Sequence, residues 1–146
     1  MNLLSIDPAV SKKIAYALFL DDRLKCYDLV PEVGDVENVM NAVIDLDLVV
    51  TEDMYLGKNF DTVKKLCYAV GEIIHVCKLY SIEYRLIAPV EWKSHHGLLK
   101  KPAGLEEKLQ FEIIRQYTGE EITDVDIRAA VLIGMCHIEQ ARMGAV

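Results

Sequence analysis

The stretch from Leu46 to Thr51 (LDLVVT) is a near-continuous apolar run that holds Asp47 and ends on Glu52-Asp53. Such a run marks a strand buried on both faces, as in a parallel sheet, and a sheet hidden on both sides needs helices to cover it. The other segments supply them. Leu3-Leu4-Ser5-Ile6 predicts a first strand, stopped at Asp7-Pro8 because proline removes a backbone donor and pushes the preceding residue out of helical geometry. Residues 13–20 and 23–30 predict two further strands joined by a tight antiparallel turn at Asp21-Asp22. Val36, Val39, Met40, Val43 and Ile44 recur at helical spacing, and a longer helix is expected from Asn59 to about Leu79. Its apolar stripe is expected to run through Phe60, Val63, Cys67, Val70, Ile74 and Cys77. Residues 83–88 read as a fifth strand stopped by Pro89, residues 90–103 as a basic loop, and 105–117 and 124–142 as terminal helices. The expected class is α/β, a mixed five-stranded sheet flanked by helices.

A chain of 146 residues, 52% apolar and 27% charged, has material for one core, so a single domain over 1–146 is expected. No apolar run approaches the ~20 residues of a bilayer span, and Asp7 interrupts the amino terminus before a signal-peptide core could form. A cytoplasmic protein without membrane contact is expected. The four cysteines include no CxxC pair, and neither His75 near Cys77 nor Cys136-His137 has the paired spacing of a structural zinc site. Reduced thiols are the expectation.

A net charge of −7 argues against a general polyanion binder, since phosphate binding rests on Lys and Arg. The charge is uneven, however. Residues 56–116 hold ten basic and seven acidic groups, while residues 1–55 hold four and eleven and residues 117–146 hold two and five. The middle of the chain is therefore the candidate track for phosphates, against the alternative of scattered solvated charge.

Carboxylates stand at three of the expected joints: Asp7 ends the first strand, Glu52 the fourth, and Asp124 and Asp126 open the last helix. If the first and fourth strands are neighbours, their ends lie about 5 Å apart. Acids so gathered without a base repel one another unless they are hydrated or hold cations. Two Mg²⁺ ions about 4 Å apart on hard oxygen ligands would resolve the repulsion and suit phosphodiester hydrolysis. Each acid also has an ordinary structural use. Asp7 before Pro8 fits turn chemistry, Glu52-Asp53 a solvated strand end, Thr123 and Asp124 helix caps, and Asp126 the positive end of the helix dipole.

Leu4-Ser-Ile-Asp-Pro8 resembles the first-strand motif of the RuvC-type Holliday junction resolvases. The stretch from Val50 through Gly71, with Glu52, Tyr55, Gly57-Lys58-Asn59 and Lys65-Leu66, is similar to that family's fourth strand and following helix. The resemblance covers essentially the whole chain and implies a ribonuclease H-like fold. It also implies a homodimer that nicks four-way and other branched DNA with Mg²⁺ or Mn²⁺, two ions per site. By resemblance Asp7, Glu52, Asp124 and Asp126 are the catalytic metal ligands, and Tyr55 stacks on bases near the crossover. Lys93 and Lys108 lie where basic residues meet the backbone, and Lys58, Asn59, Lys100 and Lys101 extend the DNA-binding set. Two departures stand out. Ala9 replaces the usual glycine after Asp-Pro, and the last two acids are two residues apart where the family has three. Both can face one metal pair only if Asp124 precedes the first helical turn, and Asp126 is the stronger expectation because it leads into Ala129-Ala130, whose small side chains let the helix pack closely on the sheet. The departures leave open a nuclease for other branched or hybrid substrates, or a junction-binding protein with a degraded site. The small size suggests a phage or viral member.

Overall fold

The computed structural model describes residues 1–8, 13–55, 57 and 59–146. Its elements are β1 (Leu3–Asp7), β2 (Ile14–Leu20), β3 (Arg23–Val30), α1 (Val33–Ala42), β4 (Leu48–Glu52), α2 (Phe60–Leu79), β5 (Glu83–Ile87), α3 (Pro89–His95), α4 (Ala103–Thr118) and α5 (Val125–Arg142). The strands form one sheet in the order β3-β2-β1-β4-β5. β1 pairs antiparallel with β2 and parallel with β4, and β4 is parallel to β5, so the sheet is mixed. The fold is α/β of the ribonuclease H-like kind. None of the described helices is long and apolar enough to cross a membrane.

The Asp21-Asp22 turn has a direct cause in backbone geometry. Leu20 pairs with Arg23, leaving a two-residue loop, and both aspartates have positive φ (50° and 62°). That conformation matches the twist of a hairpin, and aspartate tolerates it better than most residues.

Strand periodicity sorts the two faces of the sheet. Leu4, Ile6 and Val49 join a core with Val36 and Met40 of α1 and Ile73 and Cys77 of α2. Leu3, Phe19 and Val50 join the opposite core, made with α5 and with Trp92, Leu98 and Ile114. α5 lies very close to the sheet. Ser5 Oγ donates to the Ala130 carbonyl at 2.6 Å, and a Cβ on Gly134 would run into the Phe19 ring and come within 2.9 Å of Ser5 Oγ. Small residues on α5 therefore set its distance from β1.

Two expectations need correction. The expected loop over 90–103 begins with α3, where Pro89 occupies the first helical positions and thus starts a helix as well as stopping a strand. The buried face of α2 is Leu66, Val70, Ile73, Val76 and Cys77. It is rotated from the expected stripe, and Phe60, the first residue of α2, is 78% exposed because it lies at the helix end beyond the core. All four cysteines are free thiols.

Candidate active site

Side chains two apart on a strand share a face, so Asp7 follows Leu3 and Ser5 toward α5, and Glu52 follows Val50. The parallel register pairs Ile6 with Thr51, so Asp7 and Glu52 are the next positions beyond that pair on neighbouring strands. α5 brings its N-terminus to the same end of the sheet. Asp7, Glu52 and Asp126 thus line one cleft of about 580 Å³, together with Tyr55, Trp92, Lys93, Glu106 and Gln110.

Asp7 is 9% exposed, and among the described residues no Lys or Arg forms an ion pair with Asp7 or Glu52. Burial pushes the Asp7 carboxyl well above the ordinary carboxylate range, and repulsion from Glu52, Asp126 and Asp124 adds to it. Burial also raises Glu52, with a contribution from Asp126, against the lowering effects of the Trp92 hydrogen bond and of Lys93. Desolvation and mutual repulsion oppose ionisation of this group, and a bound divalent cation would reverse both effects. Hard carboxylate oxygens facing one cleft suit Mg²⁺ or Mn²⁺, so the residues present fit the cation that the sequence resemblance implies.

Asp124 and Asp126 occupy different positions. Asp124 is the N-cap of α5, before the first turn, and its Oδ1 accepts from the backbone N–H groups of Asp126 (2.9 Å) and Ile127 (3.0 Å). Asp126, in the first turn, lines the cleft. Asp124 therefore acts on Asp7 by charge, while one of its oxygens is committed to capping.

Several contacts around these acids could not be read from the sequence. Trp92 is buried on α3, and its Nε1 donates to Glu52 Oε2 at 2.6 Å. Lys93 Nζ pairs with Glu106 Oε1 at 3.2 Å rather than with Glu52. Arg128, 3% exposed, donates from Nε to Gln110 Oε1 (2.9 Å) and from Nη1 to the Thr123 carbonyl (2.6 Å). Its Nη1–Thr123 bond holds the segment just before Asp124, and its guanidinium stacks 4.5 Å over the Phe111 ring. A charged residue beside Ala129-Ala130 was the available clue, but only the fold shows that it points inward.

The expected DNA-binding residues do not all gather here. Tyr55 is 49% exposed at the cleft, which removes it from the core. Asn59 is the N-cap of α2, its Oδ1 accepting from the Asp61 N–H at 2.9 Å. Lys100 and Lys101 are exposed after α3, Lys100 with a positive φ of 58°. Lys108, exposed on α4, borders a separate cleft with Glu107, Phe111 and Arg115. Lys58 lies outside the described residues.

No protein-family model matches the chain, and no curated protein matches it. Solved structures do. The fold is similar to Thermus thermophilus RuvC in complex with Holliday junction substrate, at TM-score 0.80 and 18% identity, covering 99% of this chain and 97% of that one. A second Thermus thermophilus RuvC structure matches at TM-score 0.79 and 17% identity, covering 99% and 98%. The chain has a RuvC-type fold.

Proposed function

We propose that this chain is a metal-dependent, structure-selective DNA endonuclease that resolves Holliday junctions by paired symmetric nicks, acting as a homodimer of single nuclease domains (1–146) in the cytoplasm. The observation that carries the reading is the placement of Asp7 and Glu52, which among the described residues have no ion-paired Lys or Arg, at the adjacent ends of β1 and β4, facing the N-terminus of α5. The RuvC-type fold, and a structural neighbour solved with a Holliday junction, support the substrate class. Asp7, Glu52 and Asp126, with Asp124 beside them, would hold two Mg²⁺ ions, with Mn²⁺ as the substitute. Bound there, the ions would activate water and stabilise the leaving oxygen of a phosphodiester.

The chain's own residues do the rest. Trp92 holds Oε2 of Glu52, which fixes the carboxylate's orientation toward the cleft. Burial of Asp7 excludes bulk water from one side of the site. Lys93 borders the cleft and would meet a backbone phosphate in exchange for Glu106. The exposed ring of Tyr55 would stack on an unpaired base at the crossover, a contact worth about 1–3 kcal/mol. Lys108, Lys100, Lys101, Lys58 and Asn59 would extend the contact with DNA.

The test is cleavage of a synthetic four-way junction with and without Mg²⁺, beside forks, flaps and RNA–DNA hybrids. Metal-dependent symmetric nicks that ligase can seal, from a protein that sediments as a dimer, are the expected result. Preference for another substrate would move the chain to a broader branched-DNA nuclease. The capping duty of Asp124 favours one second reading, a junction binder with a weakened catalytic site. Junction binding without cleavage at saturating Mg²⁺ or Mn²⁺ would establish it.

A further inference from the structure

A second group of metal-ligating side chains sits away from the carboxylate cleft, where the C-terminal end of α3 meets α5. His95 is the last residue of α3 and His96 its C-cap, while Glu139 is on α5. Glu139 is thirteen residues beyond Asp126, or about 20 Å along the helix at 1.5 Å per residue. One nitrogen of each imidazole and one oxygen of Glu139 all lie within 4.8 Å of one another. His95 Nε2 is already 2.6 Å from Glu139 Oε2, and the two rings meet edge to face with centroids 4.9 Å apart.

An ion pair between His95 and Glu139 would by itself explain two of these three residues. It does not explain His96. The Nε2 of His96 lies 2.8 Å from the Leu132 carbonyl, a contact in which the ring must donate, so the lone pair is left on Nδ1. A ring nitrogen donating to a carbonyl while the other stays basic is the usual support of a metal-bound imidazole. All three side chains are half-buried.

We infer that His95, His96 and Glu139 form a second cation site, selective for Zn²⁺ and similar borderline ions over Mg²⁺, that ties α3 to α5. Two imidazoles and one carboxylate are a donor set for zinc, whereas Mg²⁺ takes oxygen ligands. The bridge secures α3, the helix whose Trp92 holds Glu52. This inference is independent of the nuclease reading.

The test is a Co²⁺ titration of the whole protein in a large excess of Mg²⁺, which keeps the carboxylate cleft occupied. The expected result is one equivalent per chain with the visible absorption of histidine-bound Co²⁺, displaced by Zn²⁺. Asp7→Asn and a Cys26→Ser/Cys67→Ser double variant should leave it unchanged. His95→Ala and, separately, Glu139→Gln should each weaken binding at least tenfold. Glu139→Gln preserves size and can still bond His95, so its loss of binding cannot be ascribed to unfolding. No saturation at one equivalent would overturn the site, as would binding that survives both variants or disappears in Asp7→Asn.

Discussion

Acidic side chains gather at both ends of β1, and they are held in opposite ways. At the start of the strand two nearby acids have partners. Asp47 Oδ2 accepts from the Asn2 N–H at 2.7 Å, and Asp22 pairs with the amino terminus (3.1 Å) and Arg142 (3.3 Å). Burial pushes the Asp22 carboxyl up, but these two cations outweigh it and leave it below its usual value. At the other end Asp7 has no such partner among the described residues, and its carboxyl is raised well above its usual value. Acids beside one end of β1 thus stabilise the fold, while the acid at its other end strains it. Strain retained at a cleft is the mark of a site arranged for a ligand.

The sharpest way to break this contrast is to neutralise the two ends in parallel. Asp7→Asn, Glu52→Gln and Asp126→Asn should each lower Mg²⁺-dependent junction cleavage by more than about 100-fold, beyond what losing a supporting contact costs. Asp22→Asn should leave the rate within about twofold, since it is remote from the chemistry. A gel assay at saturating Mg²⁺ reads both, and equal effects at the two ends would end the distinction.

Next in size is the contact that orients Glu52. Trp92→Phe keeps the aromatic packing and removes the N–H, so the Mg²⁺ concentration for half-maximal cleavage should rise about 10–100-fold. An unchanged metal requirement would make Trp92 a core residue only.

A smaller effect concerns stability, where the two ends should differ in sign. Asp7 has a raised folded pKa, so its favourable contribution is present below the unfolded value near 4 and is lost as pH rises through the folded value. Asp22 has a lowered folded pKa, so its contribution is present above the unfolded value and is lost as pH falls through the folded one. In chelator at pH 8, Asp7→Asn should therefore raise the melting temperature, by about 2–4 °C per kcal/mol of relieved repulsion. Asp22→Asn should lower it by a similar amount, and excess Mg²⁺ should reverse the sign for Asp7→Asn alone. Calorimetry with and without chelator checks all three.

The smallest effect is expected at Asp124. Asparagine caps a helix as well as aspartate does, so Asp124→Asn should cost only a few-fold in cleavage while Asp126→Asn is severe. A loss as deep as that of Asp126→Asn would give Asp124 the larger share of the metal.

The backbone was more legible than the contacts across it. The Asp21-Asp22 hairpin and the β4 run can be read locally, because a two-residue loop and a doubly buried strand each leave a pattern within a few residues. The acids could be found because strand ends are part of that same pattern. α3 was hidden, since seven residues are too short to show helical period and Pro89 looks alike as a stop and as a start. Trp92 against Glu52, and Arg128 against Thr123, join positions forty and five residues apart through packing, and no local periodicity encodes either contact. The relative placement of the lysines was hidden for a similar reason. Lys93 and Lys108 sit on different helices and open onto different clefts.

The parallel pairing of β1 with β4 has a consequence in time. Asp7 and Glu52 are separated by forty-five residues and Asp126 by seventy-four more, so no fragment of local structure contains the site. It comes into being only when the strands have paired and α5 has docked through Ala130 and Gly134. Contacts of such separation form late, after the loop-closure entropy has been met. As synthesis proceeds from the amino terminus, the chain therefore passes through most of its length with Asp7 and Glu52 apart from Asp126. The carboxylate group is thereby assembled last, as α5 settles on the sheet.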